Sequence, residues 1–594
     1  MTTAMDIFAG VALLWAVSAP AAVEVPAGAV ETNLPDKHWP CGPLYQPKET
    51  WQAPVPSDED RARGFVLFRR SYLETLHPRS KPRPDERGGQ IRIAAARGEI
   101  EPFTVNVWAQ RKLEGLQATI GPFTAADGSR LDAAAVSIRF VHSHVNVQKE
   151  AKTFQRLPIY LRSGDRTPPS EEAPVIAAGE CARFWFTLRV PGNARPGRYD
   201  ATVSLTCGNA QATLPVMLQV HPFRLREAAQ LRAMYFVMHP NANSDYSLQE
   251  AIFKDMADHG MNSVILCSMC QLAATEIDET NTAVYDLDAP AEDRQPHSYR
   301  WVMENLARSR LCSSGLVFGN LVADRRHARN VNEMAARATK DPGYGRRDYR
   351  RGMQMVLAEH ERRGWPVPTH YIADEPNIQS LPSLVKAAER GRELGVTTFL
   401  VMLAKDRTEM EGPYIDAIGA QADIWIVIAG QLTRRVVTRA REAEKQLWAY
   451  NGGSYGTVPM AARRFFGRYT LRQGLDGVTQ WAIYASDRPG QSDATYLYHD
   501  GGTLITSTAW EAVREGIDDL RYDATARYWI AAARKAGLEK EADKADEMRR
   551  TFFSTMPEDY YWKWNDNFGY ADYDEHRRRT AAATAGLVKL LEVQ

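Results

Sequence analysis

The sequence lacks an excess of charge of either sign. Lysine plus arginine number 73 and aspartate plus glutamate also number 73, so the formal net charge at pH 7 is +0. Proteins that bind nucleic acid or anionic membranes usually carry a surplus of basic residues. We therefore expect neither nucleic acid nor an anionic membrane surface as a partner, and a neutral ligand fits this charge balance better.

Cysteine is scarce, with 6 residues in a chain of 594. A dense disulfide framework is typical of small secreted domains, and a chain of this length does not need one. Cys267 and Cys270 form a CxxC motif, but no second CxxC and no paired histidines lie nearby in the sequence, as a zinc site usually requires. We interpret these two residues as buried free thiols at a strand end, and we expect no bound metal and no cofactor.

Long apolar runs are missing after residue 22, so we expect no helix that spans a membrane. Residues 7–22 are apolar and end in small residues, which is typical of a secretory signal peptide. No lysine or arginine precedes this run, and Asp6 stands where a basic residue is usual. We interpret residues 1–22 as a signal peptide and expect the protein outside the cytoplasm, in the periplasm or secreted.

Short strands dominate the N-terminal third of the chain. Residues 23–63 are rich in proline and small polar residues, and we interpret them as a lead-in segment. Between residues 64 and 225, short alternating stretches are separated by turn signals such as Asp127-Gly128. Many short strands without a long helix predict a β-sandwich. The expected strands are 64–69, 90–94, 103–109, 136–142, 182–190, 199–206 and 211–220.

From residue 228 to 535, apolar strand-like runs alternate with amphipathic helical stretches, which is typical of βα units. The expected strands are 232–238, 263–267, 315–319, 369–373, 397–403, 424–428, 446–450 and 477–484. Eight units over about 300 residues predict a (β/α)8 TIM barrel, in which the chemistry lies at the carboxyl ends of the strands. An open doubly wound sheet is the alternative, but no glycine-rich phosphate loop follows the first strand.

Helices are expected between these strands and after them. The expected helices of the barrel are 248–259, 349–363, 381–394, 433–445, 460–473 and 510–535. Residues 536–594 form a small C-terminal helical extension, with helices at 540–553 and 575–593. We expect the aromatic residues of the segment 560–564 between them to bury a face rather than to bind a ligand.

Two adjacent carboxylates, Asp374 and Glu375, follow the fourth barrel strand and precede Pro376. A proline favours an extended backbone in the residue before it, so we expect Glu375 to be extended. Side chains alternate between the two faces of a regular strand, so the two acids converge only if the chain bends where the strand ends, and Pro376 favours such a bend. An exposed turn with two solvated acids is the alternative interpretation.

Hydrolysis of a glycosidic bond needs an acid for the leaving oxygen and a group that stabilises the charge at the anomeric carbon. The sixth and seventh strand ends carry no acid, so a separate protein nucleophile could only be Asp406 or Asp487. Without one, a 2-acetamido group of the substrate can attack the anomeric carbon. Asp374 would then stabilise the acetamido nitrogen, and Glu375 would act first as acid and then as base.

Other polar and aromatic residues near the strand ends are candidates for binding a sugar. Trp481 and Tyr450 rank first, as an aromatic platform, although both could instead be packing residues. Trp481 and Tyr484 cannot both point inward on a regular strand. The further candidates are Asn451 and Tyr455 after the seventh strand, Tyr484 on the eighth, His239 after the first and Asn320 after the third.

Several stretches resemble glycoside hydrolase family 123 and the wider group that shares its catalytic domain, domain of unknown function 4091. These stretches are residues 96–103 and 190–199 in the sandwich, Asp374-Glu375-Pro376 in the barrel, and residues 510–522 after it. The resemblance implies a β-N-acetylgalactosaminidase that retains configuration by substrate-assisted catalysis, with Asp374 as stabiliser and Glu375 as acid and base. It does not fix the sugar, and it does not cover the chain after about residue 536.

The leading hypothesis is an exported retaining exo-β-N-acetylhexosaminidase that favours galactosamine-type substrates. Its partner would be a glycan or glycoconjugate with a terminal amino sugar. One alternative is a glycosidase for a sugar without an acetamido group, with Asp406 or Asp487 as the second acid. Another is a carbohydrate-binding or surface protein whose barrel has no turnover. The oligomeric state stays open.

Overall fold

The computed structural model describes residues 25, 27–31, 51–148, 152–163, 175–236, 246–266, 273–277, 283–288, 290–292, 295–319, 350–450, 458–483, 496–500, 503–554 and 570–593. The predicted signal peptide, the CxxC motif, the aromatic residues 560–564 and Asp487 lie outside the described residues. None of the helices in these ranges is both long and apolar enough to cross a membrane.

Two sheets form the predicted β-sandwich. The first runs, in spatial order, through Phe65–Phe68, Ile100–Ala109, Cys181–Arg189, Val136–Gln148, Thr153–Ser163, Thr503–Ser507 and Leu497–Asp500, and Val30–Glu31 pairs with Thr153–Ser163. The second runs through Ile91–Ala95, Ala210–Val220, Gly197–Cys207, Phe123–Ala125 and Arg130–Leu131, and Gln117–Ile120 pairs with Gly197–Cys207. Side chains such as Phe103, Phe186, Val203 and Leu218 fill the space between the sheets, as expected from alternation along each strand.

A hairpin from the far end of the chain extends the first sheet. Its strand Thr503–Ser507 pairs with Thr153–Ser163, and the Tyr160 and Tyr498 rings meet edge to face with centroids 4.8 Å apart. This hairpin precedes the long helix that closes the barrel. The sandwich sheet therefore includes strands that the sequence places beyond the barrel.

The eight predicted parallel strands close into a barrel, which confirms the TIM-barrel prediction. They are β1 Leu231–Phe236, β2 Ile265–Leu266, β3 Leu316–Gly319, β4 Val367–Asp374, β5 Thr398–Met402, β6 Ile424–Ile428, β7 Gln446–Tyr450 and β8 Gly477–Gln480. Strand β8 pairs with β1, with Gly477 opposite Leu231. This closure excludes the open doubly wound sheet.

Alternate residues of the barrel strands fill the barrel interior. The inward-facing cluster consists of Ala233, Tyr235, Ile265, Phe318, Tyr371, Phe399, Val401, Ile424, Ile426, Trp448, Tyr450 and Ala482. Residues on the outer face of the same strands, such as Met234, Leu400 and Val427, pack against the surrounding helices. The barrel is thus a filled core, and a ligand can enter only at its mouth.

Helices surround the barrel, close to their predicted positions except for Tyr299–Ser309, which was not predicted. They are Tyr246–Asp258, Tyr299–Ser309, Arg350–Arg363, Leu381–Leu394, Arg434–Glu442, Pro459–Arg464, Thr470–Gln473 and Thr508–Lys535. A short α-helix, Asp58–Arg63, precedes the sandwich strand Phe65–Phe68. Single helical turns occur at Pro84–Glu86, Ala133–Ala135, Ile378–Ser380, Arg407–Glu409, Ile415–Ala417, Gly419–Gln421 and Ala429–Gln431, and π-helical turns at Met410–Tyr414 and Phe465–Tyr469. Two small hairpins pair Ala273–Ile277 with Ala283–Asp286 and Pro290–Glu292 with Gln295–Ser298.

The 28-residue helix Thr508–Lys535 contacts both the sandwich and the helices of the barrel. Gly467 of the preceding helix lies so close to it that an added Cβ would stand 2.7 Å from the Gly516 carbonyl oxygen, so only glycine fits there. The helices Glu539–Ser554 and Tyr570–Val593 follow, as predicted. In the last helix, the buried Arg577 guanidinium contacts Glu515 at 2.6 Å and Asp519 at 2.7 Å.

Candidate active site

Strand β4 contains a bulge that determines where its acids point. Tyr371 pairs with Phe399 of β5, whereas Ala373 pairs with the next residue, Leu400, so Ile372 is an extra residue. Ile372 and Ala373 both face the helices, which reverses the alternation. Asp374 therefore lies on the same side of the strand as Tyr371, opposite the inward-facing Val401.

Glu375 turns the chain at the end of β4. Its backbone has φ +45°, in the left-handed region, so the expectation of an extended Glu375 is wrong. Its N–H donates to the Val401 carbonyl at 3.0 Å, which leaves the residue hydrogen-bonded to β5 despite the turn. A residue other than glycine in this region costs on the order of 1–3 kcal/mol, and such residues persist only where surrounding contacts hold them. The bend required for two adjacent acids to converge is present, although the proline rule alone favours the wrong conformation.

Tyr450, the last residue of β7, contacts Glu375 across the barrel mouth. Its hydroxyl donates a hydrogen bond to Glu375 Oε1, and its side chain is buried with 3% of its surface exposed. We expected Tyr450 to be an aromatic platform for a sugar. The structure instead places its hydroxyl on one of the two predicted acids.

The pKa of each acid is raised from its ordinary value. Both residues keep an exposed surface, but the surrounding chain displaces much of their water. This desolvation is the main cause that raises the pKa of Asp374, and an interaction with the Tyr371 hydroxyl opposes it. Desolvation also raises the pKa of Glu375, the negative charge of Asp374 raises it further, and the hydrogen bond from Tyr450 lowers it. Two neighbouring acids in unequal surroundings are typical of acid–base sites.

Trp481 follows β8 directly and presents an aromatic surface at the same mouth. It is 39% exposed, and its ring packs against Tyr235 of β1 with centroids 5.3 Å apart and planes at 58°. The peptide bond between Trp481 and Ala482 is cis. An exposed indole supported by a buried ring is a surface on which an apolar sugar face can stack.

Three tyrosines of the site were missed by the sequence interpretation. Tyr235 and Tyr371 lie inside the barrel, and the alternation along β1 could have identified the first of them. Tyr414 lies in a π-helical turn after β5, and its hydroxyl donates to the Pro376 carbonyl at 2.7 Å. Nothing in the sequence pattern indicates that contact.

The remaining predicted residues divide into two groups. Asp406 caps the turn Arg407–Glu409, where its Oδ1 accepts the Glu409 N–H at 2.9 Å. This cap is a structural role. The other predicted residues, His239, Asn320, Asn451, Tyr455, Tyr484 and Asp487, lie outside the described residues. Within the described ranges, no group of three histidine, cysteine or acidic residues could hold a metal ion.

The described site thus combines two adjacent carboxylates, a tyrosine hydroxyl on one of them and a half-exposed tryptophan. Asp374 ends β4 and Glu375 follows it, Tyr450 ends β7, and Trp481 follows β8, so all four lie at the carboxyl ends of the strands. This is the face on which TIM-barrel enzymes carry their chemistry. The groups can transfer a proton, stabilise a positive charge and bind a ring.

Comparisons with known proteins agree with the fold. No family model matches the chain, and no curated protein sequence matches it. Among solved structures, the chain is similar to a family 123 glycoside hydrolase from Clostridium perfringens, described in a study of glycolipid glycan hydrolysis. The TM-score is 0.59 at 11% identity, over 89% of this chain and 98% of that chain. This similarity supports the fold, from the sandwich through the barrel.

Weaker similarities also occur among solved structures. An endo-β-1,4-mannanase from Thermotoga petrophila has a TM-score of 0.33 at 12% identity, over 50% of this chain and 77% of that chain. A GH10 xylanase with a bacterial Ig-like domain, from termite gut, has a TM-score of 0.28 at 8% identity, over 72% of this chain and 99% of that chain.

Proposed function

We propose that the protein is a glycoside hydrolase, a retaining exo-β-N-acetylhexosaminidase that uses the 2-acetamido group of its substrate as nucleophile. The observation that carries the proposal is the position of the adjacent Asp374 and Glu375 at the carboxyl end of β4, where Glu375 accepts a hydrogen bond from Tyr450. The fold similarity to a glycoside hydrolase is consistent with it. The substrate is a glycan or glycoconjugate with a terminal amino sugar, of the galactosamine type.

Glu375 is the acid and then the base. Tyr450 donates to Oε1, so the transferable proton of a neutral Glu375 belongs on Oε2. The raised pKa of Glu375 keeps that proton bound to a higher pH than an ordinary glutamate would. The proton passes to the glycosidic oxygen as its bond to the anomeric carbon breaks. The resulting carboxylate later takes a proton from the attacking water.

Asp374 stabilises the reacting acetamido group. The acetamido carbonyl oxygen attacks the anomeric carbon as the leaving group departs, and the ring that forms carries positive charge at nitrogen. An ionised Asp374 accepts the N–H of this group and stabilises the charge. The charge on an ionised Asp374 also raises the pKa of Glu375, which favours the proton on Glu375 when only one of the two acids is protonated.

Trp481 supplies the platform for the sugar ring. Its exposed indole lies at the carboxyl end of β8, where an apolar face of a pyranose can stack against it. Asp406 is not proposed as a protein nucleophile, because its carboxylate caps a helical turn. An extracytoplasmic location is part of the proposal and is tested by fractionation of cells that produce the full chain.

The test compares aryl β-glycosides of N-acetylgalactosamine, N-acetylglucosamine and galactose. Turnover of the acetamido sugars alone, with inhibition by a thiazoline mimic of the intermediate, supports the proposal. Equal turnover of the galactoside contradicts substrate-assisted catalysis. Binding of these sugars without turnover contradicts an enzymatic function and indicates a carbohydrate-binding protein.

A further inference from the structure

Tyr414 touches the chain directly after the acid Glu375. Its hydroxyl donates to the carbonyl of Pro376 at 2.7 Å, and its side chain is buried with 1% of its surface exposed. Pro376 is also buried. Burying a carbonyl without a hydrogen-bond partner costs free energy. The Tyr414 hydroxyl supplies that partner for the Pro376 carbonyl.

The turn at Glu375 needs support on both sides. The left-handed φ of +45° is unfavourable for a residue before proline. On the N-terminal side, the Glu375 N–H is bonded to Val401 of β5 at 3.0 Å. On the C-terminal side, Pro376 has no N–H to donate, so its carbonyl is the backbone group through which it can be held. Tyr414 holds that carbonyl.

The position of Tyr414 depends on an irregular turn. Met410–Tyr414 is a π-helical turn in which Gly412 departs from helical dihedral angles, with φ −122° and ψ −114°. Such turns shift the following side chains around the helix axis and often occur at functional sites. After β4, the Asn377 side chain accepts the Ser380 N–H at 3.1 Å and fixes the next turn. The chain around Glu375 is therefore tied at several points.

We infer that Tyr414 is a positioning residue for Glu375, an inference that rests on the proposed function of Glu375 as acid and base. Its hydroxyl holds the Glu375–Pro376 turn in the left-handed conformation and so keeps the Glu375 carboxylate on Tyr450 and beside Asp374. Tyr414 acts through the backbone of Pro376. It does not need to touch the substrate.

Tyr414→Phe tests the inference, because phenylalanine keeps the ring and removes only the donor. We expect Glu375 to relax toward an extended backbone and to lose its contact with Tyr450. With a substrate that has a poor leaving group, kcat should fall roughly 10- to 100-fold, as misplaced catalytic groups usually cause. KM should change less than about 2-fold, because the residue does not contact the sugar.

Tyr199→Phe is the matched control. The Tyr199 hydroxyl donates to the Arg195 carbonyl at 2.8 Å, and the residue is buried in the sandwich. The control loses the same kind of hydrogen bond away from the site. It should keep the wild-type kcat and the wild-type pH profile, while its thermal stability changes about as much as that of Tyr414→Phe.

Crystal structures of the wild type and both variants separate this inference from the proposed function. A wild type that hydrolyses none of the test sugars contradicts the proposed function, and the structures still decide the role of Tyr414. A Tyr414→Phe structure in which Glu375 has left its left-handed conformation supports the inference. A structure in which φ and the contact with Tyr450 are unchanged overturns it, as does a variant with wild-type kcat.

Discussion

The Tyr450 hydroxyl at the end of β7 donates a hydrogen bond to Glu375 Oε1 at the end of β4. The two residues are 75 positions apart in sequence, and they meet only because the barrel closes. The contact assigns one carboxylate oxygen of the proposed acid, Oε1, to Tyr450. It also opposes the rise in the pKa of Glu375 that desolvation causes.

Tyr450→Phe should raise the pKa of Glu375, because the variant removes the hydrogen bond that lowers it. The basic limb of the pH profile of kcat/KM should therefore move to higher pH. Activity at the optimum should fall roughly 10-fold or more, as expected for a weakened acid. Tyr469→Phe is the control, since its hydroxyl contacts the Ala429 carbonyl at 3.4 Å. An unchanged basic limb in Tyr450→Phe would contradict the assignment of that limb to Glu375.

Asp374→Asn should shift the basic limb of the pH profile of kcat/KM in the direction opposite to that expected for Tyr450→Phe. The charge of Asp374 raises the pKa of Glu375, so its removal lowers that pKa and moves the basic limb to lower pH. The loss of charge stabilisation should reduce kcat by about 10²–10³ on acetamido substrates. The measurement is a pH profile beside that of Tyr450→Phe. Shifts of the basic limb in the same direction for both variants would contradict the effects proposed for Asp374 and Tyr450 on the pKa of Glu375.

Glu375→Gln should harm substrates with poor leaving groups most, because these depend on protonation of the leaving oxygen. Aryl glycosides with activated leaving groups should keep far more of their glycosylation rate. Glu389→Gln is the control, because Glu389 is an exposed residue of the helix Leu381–Leu394. This variant should keep the wild-type activity on both substrate types. Equal losses of activity on both substrate types would contradict the proposed role of Glu375 as acid.

Arg577→Met should destabilise the fold strongly. The buried guanidinium contacts Glu515, Asp519 and Glu101, the last at 3.4 Å, and its removal leaves buried carboxylates without a partner. The expected loss is about 3–5 kcal/mol in urea unfolding. Arg579→Met is the matched control two residues later, where an exposed pair with Glu575 at 2.7 Å is worth less than about 1 kcal/mol. Similar losses in both variants would show that the buried cluster does not stabilise the fold.

Glu99 should make stability depend on pH. Desolvation is the main cause that raises the pKa of this buried residue to about 8, and the charge of Asp518 adds to it. The folded state therefore keeps a proton that the unfolded chain loses from its ordinary value of 4.5 upward. The free energy of unfolding should fall as the pH rises from about 4.5 to about 8. Glu99→Gln should lack this part of the slope, and an identical slope in both proteins would contradict the shift.

The sequence predicted much of the framework from local patterns. Strands β6 and β7 have the predicted bounds, because each is a short apolar run between amphipathic helices. The number and order of these runs predicted a (β/α)8 barrel, and the pairing of β8 with β1 excludes the open doubly wound sheet that was the alternative. The hairpin Leu497–Asp500 and Thr503–Ser507 could not be assigned to the sandwich, because its partner strand lies more than three hundred residues earlier.

The sequence by itself determined the alternation of strands and helices and placed two acids at the end of the fourth barrel strand. Only the tertiary structure decided how those acids point. The bulge at Ile372, the left-handed Glu375 and the hydroxyls of Tyr450 and Tyr414 depend on neighbouring strands and loops. The physical reason is that strands and helices follow local periodicity, whereas the direction of a side chain at a strand end depends on contacts between residues distant in sequence.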